Sequence, residues 1–279
     1  MNWWLVFFAI DLAFGILITV WISQQAKKWS QSRRKEENDL LSAATTIYKN
    51  FETGDTSHLP APVRRYLEKN IEKGTPYIYT ARLCQSGKIR FNNRWINFNA
   101  SQYYSVEPPA FTWTAKMKLG PAWITARDRY NNGKGNMLIK ILSTLPLFDV
   151  SSKEMDHASL MRYLSELPWL PTALLSSNIR WHEIDDHSAK ATLNNGRIEA
   201  FGTFHFNDDD EIDGFVTPGR FRSDTGKMTP WSGTFDNYQD FGNIRIPTKA
   251  GATWNAAEEN FEYINITIEN AGFNSASSD

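Results

Sequence analysis

The sequence predicts a mainly β (α+β) protein: a large, curved antiparallel sheet, or half-barrel, capped by a helical insertion and preceded by a transmembrane helix. Residues 3–22 are almost wholly apolar, and after Pro76 about a dozen segments alternate with the period of two that is typical of strands. One helical segment divides these strands into two runs. The connections are too short for βαβ crossovers, so the sheet is antiparallel. A sheet of this size tends to curl, and its curved face needs a cover.

The predicted anchor, residues 3–22, contains a single charged residue, Asp11, and is long enough to cross a hydrocarbon core of ~30 Å. Trp3, Trp4 and Trp21 suit the aromatic belts at the two membrane interfaces. No Lys or Arg precedes the stretch and no small-residue cleavage site follows it, which favours a retained anchor over a cleaved signal peptide. The sequence therefore predicts a single-pass protein that contacts the lipid bilayer through these residues.

Asp11 lies near the centre of the predicted span, where a carboxylate costs about 2.5–3.5 kcal/mol. The small residues Ala9, Ala13 and Gly15 nearby would let a second helix approach closely. Two interpretations remain open: Asp11 contacts a partner helix, or a very apolar helix tolerates one acid.

A basic cluster follows the anchor and consists of Lys27, Lys28, Arg33, Arg34 and Lys35. By the positive-inside rule it stays in the cytoplasm and predicts a cytoplasmic location for the rest of the chain. The simplest role of the cluster is to set this topology, and contact with anionic lipid headgroups is the alternative.

The pattern along the chain predicts four parts. They are the transmembrane helix (1–24), a basic juxtamembrane segment with a helical linker (25–56), the β-rich half-barrel (57–274, with a helical lid at about 152–177) and a disordered tail (275–279). Within the linker, residues 36–51 carry apolar side chains near a 3.6-residue period, which is typical of an amphipathic helix.

Composition and motifs exclude several classes of function. The net charge of the 279 residues is −1 and no basic face of the nucleic-acid-binding type is visible, so no nucleic-acid partner is predicted. The single cysteine, Cys84, excludes an internal disulfide. No metal-ligand spacing, phosphate loop or nucleophile elbow is present, so neither a metal, a cofactor nor a catalytic residue is predicted. Glu183 and Asp185, beside two histidines, are typical of a solvated hairpin end, with an acid–base site as the alternative.

The large aromatic content is the strongest functional signal: 11 Trp, 17 Phe and 10 Tyr. Such side chains fill cores, and they also line ligand cavities. Their excess beside a proline-bounded apolar insertion favours a cavity, with Arg127 as a contact for a polar headgroup. The predicted ligand-binding residues are Trp113, Trp123, Arg127, Trp169, Leu170, Leu174 and Trp181.

Asp128 stands out on its predicted strand. Strict alternation places Asp128 on the same face as Ile124, while Arg127 points to the other face. A carboxylate on an apolar face needs a partner. The sequence therefore predicts a structural Asp–Arg pair, and a ligand or catalytic role is the alternative.

Several longer stretches carry a resemblance to a known family. They are "LPAPVRRYL" (59–67), "RD" (127–128) before a glycine-rich turn, "RYLSELPWLPTALL" (162–175), "IRW" (179–181) and "PWSGTF" (230–235). Over nearly its whole length the chain resembles an uncharacterised group of bacterial proteins with one N-terminal membrane helix and a β-rich domain.

In layout, the chain is also similar to the half-barrel of the bacterial lipoprotein-carrier superfamily. That similarity implies an apolar cavity for acyl chains between a curved sheet and its covering helices. Those carriers are periplasmic, whereas the basic cluster here predicts the cytoplasmic side.

Three functional hypotheses follow. The first is a membrane-anchored protein that binds an apolar ligand, a lipid or an acyl chain, between the sheet and the lid. The second is a non-enzymatic structural or interaction protein with a filled core. The third is an enzyme that uses Asp128 or the region of Glu183 and Asp185.

Overall fold

The computed structural model describes residues 3–91, 93–257 and 260–274; the predicted tail, 275–279, lies outside them. The helices are α1 (Trp3–Ala43), α2 (Ala61–Asn70) and α3 (Lys153–Ser165). The strands are β1 (Thr80–Phe91), β2 (Arg94–Ser105), β3 (Ala110–Leu119), β4 (Ala122–Asn131), β5 (Lys134–Ile141), β6 (Leu145–Val150), β7 (Ile179–Asp185), β8 (Ser188–Asn195), β9 (Ile198–Phe206), β10 (Ile212–Arg222), β11 (Lys227–Phe241), β12 (Ile244–Asn255) and β13 (Asn260–Phe273).

All 13 strands form one antiparallel sheet in the order β6-β5-β4-β3-β2-β1-β13-β12-β11-β10-β9-β8-β7. The two edge strands, β6 and β7, are consecutive in the chain, so the segment between them has to travel from one edge of the sheet to the other. The predicted mainly β half-barrel, with its helical cover and its preceding apolar helix, is confirmed.

The crossing segment covers the concave face of the sheet. α3 contacts β4 and β5 near one edge and β9 and β10 near the other. Two 3₁₀ turns, Leu167–Trp169 and Pro171–Leu175, follow it. Pro168 and Pro171 explain the change, because proline lacks the N–H that would continue an α-helix. We call residues 152–177 the lid.

Much of the concave face is filled by packed side chains. On β3 the inward residues Phe111, Trp113 and Ala115 are buried, as alternation requires. α2 closes one end of the half-barrel with Val63 and Tyr66, both fully buried.

α1 lies on the convex face. Leu40 and Leu41 form a small buried cluster with Tyr103 and Ala110, at the start of β3. The N-terminal part of α1 contains an 18-residue window with a mean hydropathy of 2.5, none of which is buried against the rest of the chain. This window is long and apolar enough to cross a membrane.

The helical pattern predicted through residue 51 ends earlier, because α1 stops at Ala43. The backbone beyond it bonds to neighbouring segments instead: Thr45 N–H donates to Glu107 O at 2.7 Å, and Phe51 N–H donates to Thr75 O at 2.8 Å. The β-branched run Thr45–Thr46–Ile47 has low helix propensity. Hydrogen bonds to neighbouring segments therefore replace the helix that the spacing of apolar residues predicts.

Candidate functional site

A cavity of about 280 Å³ lies between the lid and the sheet. Its inner end is closed by buried side chains, among them Trp113, Asp128 and Trp169. At its other end the lining reaches the partly exposed turn after β10, at Ser223 and Asp224. We call this end the mouth. The remaining walls are mainly apolar and include Met137, Met155, Phe235, Ala250, Ala252, Ile264 and Ile266.

The first half of the lid is fixed to β5. Ser152 caps α3 by accepting the Met155 N–H at 3.1 Å, and the Asp156 carboxylate accepts the Gly135 N–H at 2.8 Å and a hydrogen bond from Lys134 Nζ at 2.9 Å. The helix backbone comes so close that a Cβ at Gly135 would lie 2.5 Å from Met155 O. Glycine at this position therefore allows α3 to contact the sheet directly.

The other side of the lid is fixed as well. Arg220 Nε donates to Ala158 O at 3.2 Å, Trp169 Nε1 donates to Pro247 O at 3.1 Å, and Ile78 N–H donates to Thr172 Oγ1 at 2.8 Å. Buried bonds of this kind cost free energy when they are broken without replacement. The lid is thus a fixed cover, and the mouth is the route into the cavity.

Arg162 joins the lid to the sheet at the inner end of the cavity. Its Nη1 donates to Asp128 Oδ2 at 2.6 Å and its Nε donates to Glu166 Oε1 at 2.8 Å. Burial acts to lower the pKa of Arg162, but the two carboxylates outweigh it and the pKa lies above its ordinary value. The predicted structural Asp–Arg pair at Asp128 is confirmed, and Arg162 is the partner.

Side chains of the sheet provide the remaining hydrogen bonds of this buried polar cluster. Glu166 Oε2 accepts hydrogen bonds from Gln102 Nε2 at 2.8 Å and from the Tyr104 hydroxyl at 2.9 Å. Gln85 continues the chain, because its Nε2 donates to Gln102 Oε1 and its Oε1 accepts from Trp113 Nε1. Asp128 Oδ1 is buried and has no hydrogen-bond partner among the described residues.

Three arginines surround the mouth, and each stacks on an aromatic ring. Arg90 lies 4.9 Å from the centre of the Phe261 ring, Arg220 lies 5.1 Å from that of Trp231, and Arg222 lies 5.4 Å from that of Phe261. In the described part of the chain, the only ion pair of these arginines is the one between Arg222 and Asp224, at 2.8 Å. The rings hold the guanidinium planes. Arg220 also donates to Ala158 O and to the Tyr263 hydroxyl, and Arg222 donates to both carboxylate oxygens of Asp224. Arg90 Nε is buried and has no hydrogen-bond partner among the described residues.

Five of the seven predicted ligand-binding residues lie on the concave side, but only two line the cavity. Trp113 and Trp169 form part of its wall. Leu170 and Leu174 are lid residues whose side chains are buried in the core. Trp181 packs against Phe204, with the ring centres 5.7 Å apart.

Trp123 and Arg127 lie on the convex face, so neither one borders the cavity. The Trp123 indole donates to Ser143 Oγ at 3.0 Å in a groove beside α1. Arg127 lies 3.7 Å from the Glu36 carboxylate of α1 and donates to Asn136. Burial lowers the pKa of Arg127 to about 10. Arg127 therefore fixes α1 to the sheet, whereas the arginines that line the cavity come from β1, β10 and α3.

The mouth arginines of β10 could not be found by strict alternation. Counting in steps of two from the buried Phe215 would point Arg220 and Arg222 outward. The structure has a β-bulge between Thr217 and Arg220, which shifts the register by one residue and brings both arginines to the cavity. Pro218 and Gly219 were the available signal, since both residues mark bulges within strands.

The acidic region at the end of β7 lies far from the cavity, on an edge strand. Asp185 accepts hydrogen bonds from Ser188 Oγ and the His187 N–H, which hold its pKa below the ordinary value. These hydrogen bonds are typical of a tight turn. Among the described residues there is no cluster of three or more His, Cys, Asp or Glu side chains placed to hold a metal ion.

Similar solved structures share little sequence with this chain. An outer-membrane lipoprotein-sorting protein domain from Vibrio parahaemolyticus is 7% identical, with a TM-score of 0.40, over 70% of this chain and 86% of its own. A DUF1329 family protein from Desulfovibrio piger is 10% identical, with a TM-score of 0.42, over 78% and 92%. A LolA superfamily protein from Nitrosomonas europaea is 10% identical, with a TM-score of 0.34, over 78% and 94%.

No functionally curated protein matches the chain in sequence. A family model does match, over residues 49–266, from just after α1 into the last strand. The chain belongs to the family of unknown function DUF6544.

Proposed function

We propose that this protein is a membrane-anchored binding protein for a single-chain anionic amphiphile, such as a fatty acid or a lipid with one acyl chain. The apolar chain lies in the cavity under the lid and the anionic headgroup lies at the mouth. The observation that carries this proposal is an apolar cavity whose mouth is ringed by Arg90, Arg220 and Arg222.

The cavity sets the size of the ligand. Its volume of about 280 Å³ is just below the ~300–1,000 Å³ that small-molecule pockets span. One short chain suits this space better than two, because most of the concave face is already filled by core residues such as Leu170 and Leu174. Each buried methylene would contribute ~0.8 kcal/mol to binding.

The positive charge at the mouth favours a ligand whose headgroup is negatively charged. A guanidinium that binds a carboxylate or phosphate contributes about 1.5–3 kcal/mol in a partly desolvated site. Among the described residues only Arg222 has an acidic partner, Asp224, while Arg90 and Arg220 have none, so an anion is favoured there and a cation is disfavoured.

Replacing two mouth arginines, Arg90→Gln with Arg222→Gln, tests the headgroup assignment. We expect the affinity for a medium-chain fatty acid to fall tenfold or more, on the order of the charged hydrogen bonds removed. The affinity for the alcohol of equal chain length should stay unchanged, because the apolar walls are intact. Isothermal titration of the full-length protein in detergent-free nanodiscs measures both.

The matched control is Arg180→Gln, which removes an exposed arginine of β7 that pairs with Glu199. It should leave both affinities unchanged. An equal loss for acid and alcohol, or no loss for either, would contradict the assignment of the mouth.

We further propose that α1 anchors the domain on the cytoplasmic side of the membrane. The apolar window of α1 and the basic cluster that follows it support this orientation. A single cysteine at the highly exposed Tyr48, in a Cys84→Ser background, should react with a membrane-impermeant maleimide only after cells are lysed. Equal labelling of intact cells would place the domain on the other side.

A further inference from the structure

The direction of α1 places one end of the half-barrel next to the proposed anchor. α1 runs antiparallel to β3: Leu40 and Leu41 contact the start of β3, while Trp29 lies beside Trp123, near its end. The N-terminal part of α1 therefore leaves the domain past the β3–β4 turn. The β1–β2, β5–β6 and β10–β11 turns lie at this same end of the sheet.

α1 and β4 extend by similar distances toward this end of the sheet. From Trp29 to Ile22, where the apolar stretch ends, α1 rises ~10 Å over seven residues. From Trp123 to Gly120, in the β3–β4 turn, the strand extends ~10 Å over three residues. The turns at this end therefore reach the level at which α1 would enter the bilayer.

Exposed apolar side chains concentrate at this end. Outside α1, the described large apolar residues with exposed side chains are Tyr48, Phe91, Trp95, Leu145, Leu147, Ile184, Val216 and Met228. Five of these eight lie on or beside the turns that face the anchor: Phe91 and Trp95 around the β1–β2 turn, Leu145 and Leu147 after the β5–β6 turn, and Met228 after the β10–β11 turn. Exposed apolar side chains gathered in one place mark an interaction surface.

The same end is basic on the side nearest α1. Between residues 81 and 127, five basic residues lie toward this end, whereas the one acid, Glu107, lies at the opposite end. The five are Lys88, Arg90, Arg94, Lys116 and Lys118. A groove between the β1–β2 and β3–β4 hairpins is lined by Lys88, Lys116 and Lys118 beside Trp95. The described acids of this end include Glu262 on β13 and Asp224 in the turn after β10, and both lie on the other side of β1.

We infer that the turns at this end, together with the basic groove, dock onto the anionic surface of the bilayer that holds α1. Lysines and arginines near such a surface each contribute ~1 kcal/mol, and tryptophan and leucine side chains suit the interface. Docking would turn the mouth of the cavity toward the membrane, so that an amphiphile enters from the lipid leaflet. The inference rests on the proposed anchoring of α1 and does not depend on which ligand the cavity binds.

Spin labels on the full-length protein in nanodiscs test the docking. Single cysteines replace Phe91 or Leu145 at the docking end, and Tyr48 or Ile184 elsewhere, in a Cys84→Ser background. We expect the labels at 91 and 145 to lose accessibility to a water-soluble nickel chelate and to gain accessibility to oxygen, while those at 48 and 184 stay water-exposed. The protection should be greater with phosphatidylglycerol than with phosphatidylcholine alone.

Charge reversal provides a second test of the docking. Arg94→Glu with Lys118→Glu should remove the dependence on phosphatidylglycerol, since each basic residue lost weakens docking on the order of fivefold. A label at Phe14, within the apolar window, reports the anchor separately. If the label at 14 is in lipid while those at 91 and 145 remain as water-exposed as that at 48, docking is overturned and anchoring stands. If the label at 14 is also water-exposed, the anchor fails as well.

Discussion

Arg162→Ala should destabilise the folded protein by about 3–5 kcal/mol. The substitution leaves two buried carboxylates, Asp128 and Glu166, without their cation, and an uncompensated buried charge is among the costliest defects in a protein interior. It also removes the packing of the guanidinium on the Phe111 and Trp113 rings, which lie 4.9 and 5.4 Å away. Urea unfolding of the solubilised full-length protein, followed by tryptophan fluorescence, measures the loss.

Arg180→Ala is the matched control. It breaks an ion pair with Glu199 in which the two side chains are 71% and 50% exposed, and such pairs contribute about 0–1 kcal/mol. Similar losses in the two variants would mean that the polar group around Arg162 does not hold the lid to the sheet.

Ala252→Trp should abolish ligand binding while the protein still folds. Ala252 is buried on β12 and lines the cavity, so an indole at this position occupies the space of the proposed acyl chain. Overpacking of this kind typically costs ~1–3 kcal/mol, less than the stability of most domains. Titration with the medium-chain fatty acid measures binding, and circular dichroism confirms the fold.

Thr253→Trp provides the control for Ala252→Trp, because Thr253 is the next residue of the strand and is not part of the cavity lining. It adds the same side chain outside the cavity and should preserve binding. Unchanged affinity in Ala252→Trp would show that the ligand binds elsewhere.

The fold could be predicted largely from sequence because its signals are local. Period-two alternation marks the strands, short turns exclude parallel crossovers, and Pro168 and Pro171 mark the division of the lid. The face of Asp128 followed from alternation alone, and its need for a partner followed from the cost of burying a charge. The length of α1 was harder to predict, because backbone hydrogen bonds from residues 45 and 51 to neighbouring segments decide where the helix ends.

The site could be predicted only in part, because it depends on which face of the sheet each side chain occupies. Trp113 and Trp169 line the cavity, but Arg127 faces the other side of β4, as its alternation with Asp128 already implied. The two mouth arginines of β10 depend on a bulge that strict alternation misses, although Pro218 and Gly219 signal it. Their arrangement also needs strands that are far apart in sequence, since Arg90 lies on β1 and Arg222 on β10, and both contact Phe261 of β13.

Native mass spectrometry of the full-length protein, extracted gently from membranes, tests the central claim most directly. The account predicts that the wild type carries one anionic single-chain amphiphile per molecule, that Thr253→Trp retains it, and that Ala252→Trp has lost it. A wild type that carries no amphiphile and takes none up from added fatty acid would contradict the account, as would an Ala252→Trp variant that carries as much as the wild type.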